Sequence, residues 1–117
     1  MLMMAAPNGE RRAAEPRLTD IDLYAWIAQA EVGDALLYHR GFLVVDADKA
    51  LSTLPTDRRL ALRGVADAAF RAAEQGLVHL VQERLETDRF AYIAIARPRP
   101  KAATASLSAL LLDAQAA

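Results

Sequence analysis

The side chains of this 117-residue chain best suited to coordination chemistry are His39, His79, Asp46, Asp48 and Glu83, since two imidazoles with one or more carboxylates can hold a divalent ion. No short spacing such as H-x-x-x-H links the two histidines, so packing or a hydrogen bond is the expected role of each. "VVDAD" sets Asp46 and Asp48 two apart after a strand-like run, as in some Mg²⁺-dependent nucleases. That spacing is also common where strands end, and no catalytic Lys or further Glu stands at a recognisable distance, so a metal-dependent nuclease is the remote reading. The chain has no Cys and no G-x-S-x-G, Walker or G-x-G-x-x-G run, so acyl transfer, nucleotide hydrolysis and dinucleotide chemistry have no starting set of residues. The expectation is a non-enzymatic protein without cofactor or metal.

The other residue set with a chemical use is cationic. In "PTDRRLALRGVADAAFRAAEQG", Arg59, Arg63, Asp67, Arg71 and Gln75 recur at four-residue spacing and share one face of a helix. Arginines so placed can contact phosphates and base edges, with affinity that falls as salt rises. The competing reading is a solvated face of i,i+4 ion pairs worth about 0.3–0.5 kcal/mol each, and Asp67 in its middle repels phosphate. The net charge of −1 and pI near 6.1 give no overall attraction to a polyanion, which tilts the expected partner toward protein rather than DNA.

Elements that position these residues are legible from caps and breakers. Residues 1–17 carry Pro7, Gly9 and Pro16 without periodicity and are expected to be a flexible tail, leaving 18–117 as one domain. A first helix is capped by Thr19 or Asp20, places Leu23, Trp26, Ile27 and Ala30 on one face, and stops at Gly33. Two β-rich runs, 35–38 and 42–45, flank "HRG" as a hairpin, apolar on both faces and so expected to be covered on both. The long helix starts after Pro55 and ends at Gly76, burying Leu62, Val65, Ala66, Ala69, Phe70 and Ala73. A second hairpin spans Leu77 to Arg84 and Phe90 to Arg97, joined by "LETD". "RPRPK" then breaks the sheet, because proline cannot donate to a ladder. "ATASLSALLLDAQAA" predicts a last helix whose Leu107, Leu110 and Leu111 pack on their own domain or form a dimer face.

The stretch "FRAAEQGLVHLVQERLETDRFAYIAIA" resembles the last helix and wing of winged-helix domains, where a helix ends at a "GLV"-like step and enters a charged, aromatic-bearing hairpin. The resemblance covers about a quarter of the chain. It implies a helix that enters the DNA major groove, with reading assigned to Arg59, Arg63 and Arg71, and a wing, its tip flanked by Arg84 and Arg89, that touches the backbone or the minor groove. "DADKALSTLPTD" offers one short turn in place of the helix-turn-helix partner, the "ETD" tip is acidic, and two strands rather than one are expected before the long helix. Short length and an Ala- and Arg-rich, Lys-poor composition also resemble small proteins of prophages and mobile elements in high-GC bacteria, which implies regulation of, or interference with, a host protein.

The chain is therefore expected to be an α+β domain of two antiparallel hairpins and about three helices. It reads as a cytoplasmic regulatory or adaptor protein that binds a macromolecule. A DNA-binding winged-helix regulator is the alternative, and a homodimer is compatible with either. "MLMMAA" does not read as a signal peptide, and no apolar run approaches the ~18 residues of a membrane span.

Overall fold

Thr19 opens the first helix by accepting a hydrogen bond from the Asp22 amide while the Asp22 carboxylate accepts from the Thr19 amide, a reciprocal cap that satisfies two N–H groups. Helix α1 runs Asp20–Gln29 and buries Leu23, Tyr24 and Ile27, with Trp26 half-buried against the same core. The computed structural model describes residues 18–98 and 103–116. The segment 1–17, expected to be a tail, lies outside these residues, as does most of the expected break at "RPRPK". Strand β1 (Ala35–Gly41) follows, then a one-turn helix α2 (Leu43–Asp46) and the long helix α3 (Thr56–Glu74). Strands β2 (Val78–Glu86) and β3 (Arg89–Ala96) and the last helix α4 (Ala103–Ala116) complete the order. No helix among the described residues is long and apolar enough to cross a membrane.

The sheet has the order β1-β3-β2 and is antiparallel throughout, so the last strand in sequence is central. Two expectations for the first β-rich region change. Residues 42–45, read as a strand, are mostly helical turn, and β1 pairs with β3, Leu37 opposite Ile93 and Arg40 opposite Ala91. Among the described residues, helices cover only one face of the sheet. Side chains on one face, among them Val78, Tyr92 and Ala94, join the core with α1, α3 and Leu107 of α4. Leu37, Val81, Ile93 and Ile95 on the other face neither belong to that core nor pack against it. The expected α+β class holds, and among the described residues a fourth helix, α2, joins the three read from sequence.

Helix α3 buries Leu62, Val65, Ala68, Ala69 and Ala72. The stripe expected from sequence is rotated, and Phe70, placed on it, is 61% exposed. The small alanines let α3 approach its neighbours closely, and a core arc centred on 65, 69 and 72 leaves 66, 70 and 73 at its flank. Gly76, at φ +77, ends the helix as expected. Its amide donates to the Ala73 carbonyl, and the Leu77 amide reaches back to Ala72, which satisfies carbonyls of the last turn. In α4, Leu107 is 6% exposed within the chain's own core, and Leu110 and Leu111 are half-buried against it. Leu107 thus packs within the domain, and Leu110 and Leu111 lie at the margin of the same core.

Candidate functional site

The short helix α2 is held in place by side chains from β1 and β3. Asp46 Oδ2 accepts a hydrogen bond from the Phe42 amide at 3.0 Å and lies 2.8 Å from His39 Nε2. The Leu43 amide donates to the Tyr92 hydroxyl at 3.0 Å. Amides at the start of a helix have no partner within it, so these oxygens supply what the turn cannot supply for itself. Beneath them the Tyr92 ring lies 5.8 Å from His39 and 6.3 Å from both Tyr38 and Phe90, and Phe90 is 5.9 Å from Phe42. The outcome is an α2 fastened to the sheet by these hydrogen bonds and leading toward α3.

These contacts account for the coordinating residues. Asp46 serves His39 and the Phe42 amide, and Asp48 Oδ1 caps the next turn by accepting from the amides of Ala50 and Leu51 at 2.7 and 3.0 Å. His39 pairs with Tyr92, which enters the core, whereas His79 pairs with Ile95 and Glu83 with Ala91 on the opposite face of the sheet. The two histidines thus do not converge, and among the described residues no group of three or more His, Asp or Glu side chains is placed to hold a metal ion.

Helices α2 and α3 enclose a shallow open groove of about 300 Å³, lined by Leu43, Val44, Ala47 and Asp48 on one side and by Arg63, Ala66 and Asp67 on the other. Val44 is 73% exposed at its rim, and Phe70 stands one helical turn beyond Ala66. Leu60, also exposed, lies near the N-terminal end of the same outer side of α3. The candidate arginines are distributed unevenly around this groove. Arg63 lines it, Arg59 is half-buried one turn earlier, and Arg71 points to α4, where its guanidinium donates to Asp113 at 2.9 Å.

The β2–β3 hairpin turns through Thr87 and Asp88, the latter at φ +58, a left-handed conformation that Asp tolerates. Its two candidate cations have local partners. Arg84 reaches the Thr87 hydroxyl at 3.4 Å, and Arg89 lies 3.6 Å from Glu86. The structure therefore brings Arg63 alone of the five arginines to the groove and ties Arg71, Arg84 and Arg89 to neighbours.

A second depression, of about 190 Å³, lies between β1 and the start of α3, lined by Tyr38, His39, Leu54, Asp57, Arg58 and Leu62 among others. It is smaller than the roughly 300–1,000 Å³ usual for small-molecule sites. Sequence reasoning missed this depression and the groove because both depend on how α2 and the 47–55 loop fold back on α3. The one local signal was the run of polar and small residues in "DADKALSTLPTD". Comparison of the chain with known protein families, with curated proteins and with solved structures returns no match.

Proposed function

We propose that the protein is a winged-helix-like, non-enzymatic binding module whose α2–α3 face engages a protein partner. One strand before a helix pair, a long second helix and a β-hairpin is the pattern that the resemblance of residues 70–97 leads one to expect, and the conversion of residues 42–45 to helix α2 supports it. The observation that carries the choice of partner is the exposure of Val44 and Phe70 beside a groove that also presents Asp67. Apolar side chains set around a few charges suit a protein surface, since partly exposed aromatics anchor protein interfaces, whereas binding to the DNA backbone draws on a concentration of cations that this face, with Asp67 beside Arg63, dilutes. A composition like that of small mobile-element proteins fits a molecule that acts by binding rather than by catalysis.

The second reading, a DNA-binding winged-helix regulator, draws on Arg59 and Arg63 on one flank of α3 with a hairpin nearby in sequence. Two experiments separate the readings. A photoreactive residue at position 70 in the native cell should give a discrete protein adduct that the same residue at exposed Leu112 does not give. Titration of labelled duplex DNA should show weak binding that vanishes toward physiological salt. Submicromolar duplex binding at that salt, lost in Arg63→Glu, with no adduct at position 70, replaces the protein-binding reading with the regulator.

A further inference from the structure

The face of the sheet that no described residue covers is built in cross-strand rows. One row is Leu37, Ile93 and Val81; the next, toward the start of β2, is Ala35, Ile95 and His79. On the other side lies a row with Arg40 on β1, Ala91 in the centre and Glu83 on β2. The face is thus apolar along its middle, with a cation at one edge and an anion at the other edge of the same row. Val81 is 40% exposed, so the apolar strip reaches the free edge of β2.

We propose that this face docks on the same face of a second copy of the chain, with the twofold axis parallel to the strands. The arrangement of charge selects both the occupant and the axis. Rotation about an axis along the strands keeps each row at its height and exchanges the edges, so Arg40 meets Glu83 of the second copy and Glu83 meets its Arg40. The same rotation sets Ile93 on Ile93, Ile95 on Ile95 and Leu37 on Val81, which closes the apolar strip. An axis across the strands instead places Arg40 on Ala35, leaving that cation without a partner, and sets Glu83 against His79 rather than a guanidinium. Self-complementarity of this kind is what an isologous interface requires, and face-to-face packing of two sheets with their strands nearly aligned is a common arrangement.

The footprint fixes the expected strength. Three strands about 4.8 Å apart and some seven residues long at ~3.4 Å each cover roughly 350 Å² in projection. Stable interfaces bury about 800 Å² of accessible surface per partner, so a footprint this small is that of a weak, transient association. Each copy keeps its helices on the side of the sheet away from the interface. The two α2–α3 faces consequently point outward in opposite directions, and the dimer is bivalent.

Sedimentation equilibrium of the wild type from about 10 to 500 µM at low salt tests the proposal, the range bracketing the strength expected from the footprint. The expected result is a monomer–dimer equilibrium that weakens as salt rises. Arg40→Glu and Glu83→Arg should each weaken it by at least about tenfold, because each reversal acts twice in a symmetric dimer. The double variant should recover to within about threefold of wild type, its pairs being restored in reversed order. Circular dichroism and thermal midpoints of all four proteins establish that the fold is retained. Val81→Lys, at an exposed edge position, should also dissociate the dimer. A wild type that stays monomeric at 500 µM, leaving the sheet for some other occupant, overturns the proposal. So does a dimer indifferent to the single reversals, or a folded double variant that does not recover.

Discussion

His39 on β1 and Asp46 at the end of α2 are joined at 2.8 Å, and the same Asp46 oxygen accepts the Phe42 amide, so a single carboxylate fastens the helical turn to the sheet. Asp46→Ala removes both bonds and is expected to cost about 2–3 kcal/mol, since a half-buried donor loses its partner along with the bond itself. In a domain of this size that lowers the thermal midpoint by roughly 10–20 °C. Asp46→Asn keeps an acceptor for the amide and should lose about half as much. Calorimetry of the two variants checks the order, and equal losses would show that the amide bond contributes nothing.

Gly41 and Gly64 should respond in opposite directions to alanine. Gly41 sits at φ +144, and a Cβ there would overlap Asp46 Oδ2 and come within 2.9 Å of His39 Nε2, so Gly41→Ala disturbs both the backbone and the fastening just described. A loss of at least ~2 kcal/mol is expected. Gly64 lies within α3 with nothing within 4 Å of a Cβ, and Gly64→Ala should stabilise by up to about 1 kcal/mol through helix propensity. Urea unfolding at constant m-value reads both changes.

Alkali should weaken the fold before it ionises Tyr38. Burial, followed by the neighbouring Tyr92, pushes the Tyr38 phenol up to about 12, whereas in the unfolded chain it titrates near its ordinary value of about 10. Between these values the unfolded chain releases a proton that the folded one keeps. Stability is therefore full below pH 10 and is lost as pH rises from about 10 to about 12. Tyr24 contributes in the same direction, its value raised chiefly by burial and partly offset by Arg71. Urea midpoints across this range should fall for the wild type and fall less steeply for Tyr38→Phe.

Leu107 and Leu112 lie on the same helix and should differ sharply. Leu107 belongs to the core while Leu112 is 67% exposed, so Leu107→Ala is expected to cost about 2–4 kcal/mol and Leu112→Ala less than about 0.5 kcal/mol. Comparable small losses would mean that α4 is not docked.

What the sequence disclosed was what depends on neighbours along the chain. An N-cap at Thr19 or Asp20, and Gly76 after a run of helix formers, act within a few residues and were readable from them, though not the reciprocal bond that Asp22 makes with Thr19. Helix α2 was not, because "FLVV" has strand propensity and its helical turn relies partly on a Tyr92 hydroxyl 49 residues away from Leu43. Phe70 was assigned to the core because its period fits, but the close approach of alanine-lined helices decided which arc faces inward. Arg71 shows the same limit, since its spacing suggests a ligand contact and its partner, Asp113, is 42 residues distant. The apolar character of both sheet faces was legible, whereas the side that the helices cover follows only from the packed fold.

The central position of β3 also sets a timetable for folding. Leu37 must wait for Ile93, its partner across the ladder, and β2 likewise has no neighbour until β3 is made. On a ribosome adding about 5–20 residues per second, β1 therefore stays unpaired for several seconds after synthesis while α1 and α3 are already able to form. Nascent chains stalled with Ala91 at the tunnel exit should be protease-sensitive throughout β1 and β2, and those extended past α4 should be protected together in one step. The interval is one in which "ALLYHRGFLVV" is exposed with its apolar side chains in water and its strand unpaired, and it is the point at which a chaperone has the most to do.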